Sequence, residues 1–152
     1  MLKIFLIRHA DAEIHSFSGK DIDRVLSTKG IAQCAELKCN IENYNWQNVD
    51  FYVSSSERTK QTFQMIFEDK VCAFDNSLYL VSAKNLLKYI NNLNATNSMC
   101  IIGHNEGISA LATQLTGQRF LMNTASFLEL HFDFESTSYI SAETAFVANF
   151  IF

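Results

Sequence analysis

Proline is absent from the 152 residues, and glycine occurs only five times. Turns must therefore rest on Asn, Asp, Ser and those few glycines. No glycine-rich loop of the kind that cradles a nucleotide phosphate is present. Cysteine is scarce, and Cys34, Cys39, Cys72 and Cys100 form no C-x-x-C or other metal-ligand pair. They read as reduced, mostly structural thiols, with Cys100 a small buried hydrophobe inside an apolar run. No long run of one charge sign occurs, and the net charge is −4. That balance argues against nucleic acid or an anionic membrane as partner. Long apolar runs are missing too. The first one, residues 2–7, is interrupted by Lys3 and is too short for a signal-peptide core or a membrane span. A cytoplasmic location is the expectation that follows.

The residues that are present suit a globular protein, with 48 % hydrophobic and 18 % charged. The length fits one domain over 1–152 with a single sizeable core. Short, almost continuously apolar runs at 2–7, 49–53, 71–74 and 99–102 read as strands covered on both faces. Amphipathic segments lie between them. Residues 28–44 place Ile31, Cys34, Ala35 and Ile41 near one face, capped by Ser27 or Thr28. Residues 57–68 carry Thr59, Thr62, Phe63, Ile66 and Phe67 at helical spacing. Ser82 caps a helix with Leu86, Leu87, Ile90 and Leu93 inward, and Ile108, Leu111, Ala112 and Leu115 mark another that ends at Gly117. This alternation predicts an α/β fold with a mostly parallel sheet. Residues 127–134 alternate, with Leu128, Leu130, Phe132 and Phe134 on one face. Residues 146–152 read as a last strand, paired antiparallel with 127–134 at one edge of the sheet.

In open α/β sheets, ligands bind beyond the carboxyl ends of the strands. His9 directly follows the first strand, and His104 directly follows "MCIIG". If these two strands are neighbours, both imidazoles face one pocket. His15, in a loop, and His131, on a polar alternation, carry no such signal. Arg8 precedes His9, Arg58 follows "YVSSSE" at a helix start, and Arg24 lies just before a capped helix. Helix starts favour anions, and arginine forks match phosphate oxygens. Two histidines among arginines therefore suggest a phosphoryl group. Zinc is the rival use of two histidines, with Asp11, Glu13 or Glu106 as a further ligand. The surrounding arginines would repel a cation, so no metal and no cofactor are expected.

At this point the residues resemble the histidine phosphatase superfamily. "LIRHADAE" looks like its RHG/RHA motif, and the short length without a cap looks like its small branch, the SixA-type phosphohistidine phosphatases. "DIDRVLSTKG" is similar to D-x-D-R-P-L-[ST]-x-x-G, and "SSSERTKQT" to S-x-A-x-R-A-x-Q-T. "LYLVSAKNLLKYINNL" fits the middle helix, "IIGHNEGISALATQLTG" the V-G-H-N-P-G segment and "MNTASFLELHFD" the late strand.

The resemblance implies a three-layer α/β/α sandwich, phosphoglycerate-mutase-like and without a cap domain. It implies His9 as the nucleophile that takes the phosphoryl group. Arg8 and Arg58 hold the phosphate oxygens, His104 contacts the same group, and Arg24 binds at the rim. The implied substrate is phosphohistidine on a protein, such as a histidine phosphotransfer protein, and the protein is expected to be a monomer. A small-molecule phosphomonoesterase and an inert phosphate-binding or interaction module are the alternatives.

Two family prolines are replaced, by Val25 and by Glu106. Glu106 brings a negative charge near the pocket, either as a proton donor or pointing to solvent. Larger members of the superfamily carry an acid that protonates an alcohol leaving group. Here Asp11, Glu13, Asp21 and Glu106 are the candidates.

Overall fold

The computed structural model describes residues 1–152. It contains six strands, β1 (Leu2–Arg8), β2 (Val49–Ser54), β3 (Ala73–Asp75), β4 (Ser98–Gly103), β5 (Phe127–Phe132) and β6 (Phe146–Ile151). Four helices alternate with them: α1 (Thr28–Asn40), α2 (Glu57–Ile66), α3 (Ala83–Leu93) and α4 (Asn105–Thr116). The strands form one sheet in the order β3-β2-β4-β1-β5-β6. β1 pairs parallel with β4, and β2 parallel with β3 and β4, whereas β5 pairs antiparallel with β1 and β6. The sheet is therefore mostly parallel, with an antiparallel hairpin-like edge at its C-terminal side.

Apolar side chains cover both faces, which makes three layers. Phe5, Ile7, Val53 and Ile102 pack with α1 and α2 residues such as Cys34, Leu37 and Phe63. Ile4, Leu6, Met99 and Ile101 point to the opposite face and pack with Leu86, Ile90, Ile108 and Leu111 of α3 and α4. Side chains alternate across a strand, so β1 and β4 each feed both cores. Full burial of one such Leu or Ile is worth about 1.5–3 kcal/mol. No helix is long and apolar enough to cross a membrane.

The helices begin where the sequence predicts. Ser27 Oγ accepts from Gly30 N, and Ser82 Oγ accepts from Asn85 N. α3 buries Leu86 and Ile90, and α4 buries Ile108, Leu111, Ala112 and Leu115 before Gly117 closes it.

Four details differ from the sequence expectation. The third strand covers Ala73–Asp75, not 71–74, and Val71 is 89 % exposed. Only Ala73, Phe74 and Asp75 find partners on β2, so the apolar character of Val71 has no strand to support it. α1 ends at Asn40 rather than near residue 44. The chain turns there and brings Tyr44 and Trp46 back against Phe5. Within α1 the inward stripe is Gly30, Cys34 and Leu37, while Ile31 is 49 % exposed. Gly30 explains that rotation, because a Cβ there would overlap the Asp11 carbonyl, and only glycine lets the helix approach so closely. Finally, β5 lies inside the sheet and its second face is covered. Phe127 is fully buried, and buried Glu129 accepts from His131 Nε2 at 2.7 Å and pairs with Lys3 at 3.5 Å.

Candidate active site

β1 and β4 are parallel neighbours in a register that sets Arg8 opposite Gly103. The next residue on each strand is a histidine, and the backbone N–H of His9 donates to the Gly103 carbonyl at 3.0 Å. The two imidazole rings consequently face each other with centroids 5.3 Å apart. They line a cavity of about 720 Å³ together with Arg8, Arg24 and Arg58. Its far wall is the turn from Leu80 to Ala83 and the first turn of α4. Gly107 permits this closeness, since a Cβ on it would overlap the Val81 carbonyl. The α4 helix points its N-terminus at the cavity, and such a terminus carries partial positive charge.

The hydrogen bonds fix the ring states. His9 Nδ1 lies 2.7 Å from the Ala10 carbonyl, which only accepts, so Nδ1 carries the proton. Nε2 is left with its lone pair and accepts from Arg58 Nε at 3.3 Å. The segment after His9 is pinned by Thr62, whose hydroxyl accepts from Ala10 N and donates to the Arg58 carbonyl. In His104, Nδ1 accepts from Arg58 Nη2 at 3.4 Å, and Nε2 meets Ser54 Oγ at 2.8 Å. A guanidinium only donates, so the proton of neutral His104 is on Nε2.

Arg58, in the first turn of α2, is only 3 % exposed. A buried guanidinium is tolerated only when paired. Besides the two imidazoles, its partners are the Asp21 carbonyl, at 2.8 Å from Nη1, and Asp21 Oδ2, at 3.0 Å from Nη2. Arg24 donates to the Glu13 carbonyl and, at 2.9 Å, to Asp21 Oδ1. Arg8 donates to the Met122 carbonyl at 2.9 Å, and its buried Nε has no partner.

Electrostatics follow from burial and from these cations. Burial is the main cause that pushes His9 down to about 4. The Ala10 carbonyl opposes the shift, and Arg58, Arg8 and Arg24 add to it. Burial, then the neighbouring His9 and Arg58, push His104 down to about 3. Both rings are neutral at pH 7. The Tyr79 hydroxyl, followed by Arg24 and Arg58, holds the Asp21 carboxyl well below the usual carboxylate range. Burial also lowers Arg8, against the opposing pull of Asp11.

This arrangement has a consequence for stability. Between pH 6.5 and about 4 the unfolded chain binds protons on both histidines that the folded chain excludes. Stability is thus complete above pH 6.5 and falls as the pH drops, by up to about 1.4 kcal/mol per unit for each histidine. Urea unfolding at pH 7 and pH 5 checks this. The lower midpoint is expected at pH 5, and an equal or higher one there would contradict it.

The remaining acids are placed differently. Asp11 turns toward α1, where its carboxylate accepts from Ser27 Oγ. Glu13 is exposed and outside the cavity. Glu106 lines the cavity mouth from an exposed position in the first turn of α4, where the helix dipole favours an acid. No group of three or more His, Cys, Asp or Glu is arranged to hold a metal ion. Ser54 and Thr62 belong to the site through their hydrogen bonds, and their signal in the sequence is their motif position. Tyr79, which donates to Asp21, carries no sequence signal.

A family model described as histidine phosphatase superfamily (branch 1) matches residues 4–75. An uncharacterized chloroplastic protein of Arabidopsis thaliana is 24 % identical over 139 residues, covering 82 % of this chain. The aligned part spans 63 % of the length of that relative. Among solved structures, the SixA protein of Nakamurella multipartitia superposes with a TM-score of 0.84 at 17 % identity, over 99 % of this chain and 95 % of that one. The protein histidine phosphatase SixA complexed with tungstate gives 0.80 at 17 % identity, over 99 % and 96 %. These likenesses establish the shared fold. The family model covers the stretch that runs from the Arg8–His9 pair through Arg24 to Arg58, and β4 then brings His104 to the same cavity. Over residues 4–75 this chain is similar to the histidine phosphatase superfamily, and the fold it shares with the SixA structures extends over nearly the whole chain.

Proposed function

We propose that the protein is a phosphatase that takes a phosphoryl group from phosphohistidine on a protein and passes it to water through His9. The observation that carries this reading is the state of His9. Its ring is neutral, its Nδ1–H is tied to the Ala10 carbonyl, and its Nε2 lone pair takes only a long bond from Arg58 Nε, at a cavity bordered by three arginines. A neutral imidazole with one fixed nitrogen is a ready nucleophile. That SixA protein in complex with tungstate, an oxyanion, supports a phosphoryl group as the ligand of such a cavity.

The reaction runs in two displacements. His9 Nε2 attacks phosphorus, an N–P bond forms, and the bond from phosphorus to the substrate nitrogen breaks. The substrate ring, already protonated by solvent on its other nitrogen, keeps that electron pair and departs as neutral imidazole. Water then attacks, its oxygen bonds to phosphorus, the bond to Nε2 breaks, and orthophosphate leaves with His9 restored. Arg8, Arg58, Arg24 and His104 surround the transferring group, and positive groups on its oxygens are the main requirement of this chemistry. No metal takes part in the proposed steps.

The acids favour a phosphoramidate over an alkyl phosphate. Asp21 is held ionised, Asp11 is occupied by Ser27, and Glu13 lies outside the cavity. Glu106 alone borders the mouth, on an exposed helix turn. An alkoxide needs a proton from the enzyme more than an imidazole does, because imidazole can be protonated beforehand. Turnover of phosphoramidate or a phosphohistidine peptide should exceed that of a sugar phosphate by at least tenfold in kcat/KM, with strong chelator present. A preference for the sugar phosphate would remove this substrate assignment.

A further inference from the structure

We infer that Asp21 is a positioning residue, which clamps the outer edge of the Arg58 guanidinium so that its inner edge stands toward the space between His9 and His104. This rests on the reading of the cavity as a phosphoryl site. The contacts of Arg58 divide into two sets. Toward the imidazoles, Nε and one Nη2 hydrogen make long bonds, 3.3 Å to His9 Nε2 and 3.4 Å to His104 Nδ1. Toward Asp21, Nη1 and the other Nη2 hydrogen make shorter bonds, 2.8 Å to its carbonyl and 3.0 Å to Oδ2. The guanidinium charge assists all four bonds, but the Asp21 pair is the shorter, and the bond to Oδ2 alone joins two ionised groups. The long pair is the one an incoming oxyanion displaces, and Nε with Nη2 then forms a two-pronged fork for two of its oxygens.

The carboxylate is itself held on several sides. Oδ1 accepts from Arg24 Nη1, and Oδ2 accepts from Tyr79, whose ring packs edge-on against His104 at 5.4 Å. Asp21 therefore links Arg58, Arg24 and Tyr79 from behind the side chains that line the cavity. The competing reading of a carboxylate beside two arginines is a plug that phosphate must displace. The geometry argues for a clamp, because Asp21 holds the edge of Arg58 turned away from the imidazoles.

The two readings predict opposite signs. Binding of orthophosphate to the full chain is measured by calorimetry for the parent, Asp21→Asn, Tyr79→Phe and the double variant, each with its unfolding midpoint. Under the clamp, Asp21→Asn raises the Kd for orthophosphate at least fivefold, although it adds one unit of positive charge. Tyr79→Phe shifts Kd in the same direction by less. The double variant adds little to Asp21→Asn, since both act through one carboxylate. Unchanged or tighter binding by folded Asp21→Asn would overturn the clamp. If that variant does not fold, Tyr79→Phe alone decides, and unchanged or tighter binding by it overturns the proposal. A parent that binds orthophosphate but turns over no phosphoramidate would refute the phosphatase reading alone, with the clamp still tested by Kd. A parent that binds no orthophosphate would overturn both.

Discussion

Replacing His9 with alanine is expected to lower turnover by roughly 10,000-fold or more, the scale on which an enzyme loses its nucleophile. The expectation follows from how completely this ring is prepared. Its tautomer is set by a backbone carbonyl one residue away, so Nε2 keeps its lone pair, and only the long 3.3 Å bond from Arg58 Nε must give way for it to attack. Burial and three arginines keep it unprotonated at neutral pH. No other side chain on the cavity has both properties. His104 presents Nδ1 to the same space, but its Nε2 rests on Ser54 and its place is on the opposite wall. The variant should keep its fold, because the link from β1 to β4 at this level is the backbone bond from His9 N to the Gly103 carbonyl. Steady-state rates on phosphoramidate, with unfolding midpoints as a control, check the prediction. Activity within tenfold of the parent would show that the phosphoryl group is transferred without His9.

Arg58→Ala should cost kcat/KM at least 100-fold to 1,000-fold. One preorganised donor to a developing oxyanion is worth about 2.7–4 kcal/mol, and Arg58 offers two N–H groups on its inner edge. Arg58→Lys should recover less than a tenth of the loss. An ammonium is a single point charge on a flexible stem and cannot reproduce a fork that reaches His9 and His104 together. The same substitution also leaves the Asp21 carbonyl and carboxylate short of their donors, so a lower unfolding midpoint should accompany it. Rates and midpoints of the two variants separate these effects. A lysine variant with most of the parent's activity would mean that charge, rather than the fork, is what the site requires.

The placement of His9 and His104 was legible from the sequence because each follows a short apolar run that reads as a buried strand. Only the pairing of β1 with β4 was needed to bring them together, and parallel pairing in register did so. Arg58 was legible as a residue at a helix start, but its burial was not. That depends on Asp21, which arrives from a short turn 37 positions earlier in the chain. Asp21 stood among four acids with no means of choosing between them. Tertiary contacts separate them: Tyr79 and two arginines hold Asp21 ionised, while Ser27 draws Asp11 away toward α1. Ile31 misled for a similar reason. Its apolar side chain fits a helical stripe with Cys34, yet the close approach of Gly30 to Asp11 rotates α1 and leaves Ile31 to solvent. Edge strands are the other weak point, because the apolar Val71 suggests pairing where β2 offers partners only from Ala73 onward.

The central claim, that the phosphoryl group rests on His9 Nε2 between its two transfers, is tested most directly by trapping it. The protein is mixed with radiolabelled phosphoramidate, quenched in base within a turnover, and mapped by mass spectrometry. A label that is stable in base, lost in acid, located on His9 and missing from His9→Ala is the predicted result. Equal labelling of the parent and His9→Ala, or a label on another residue, would contradict it.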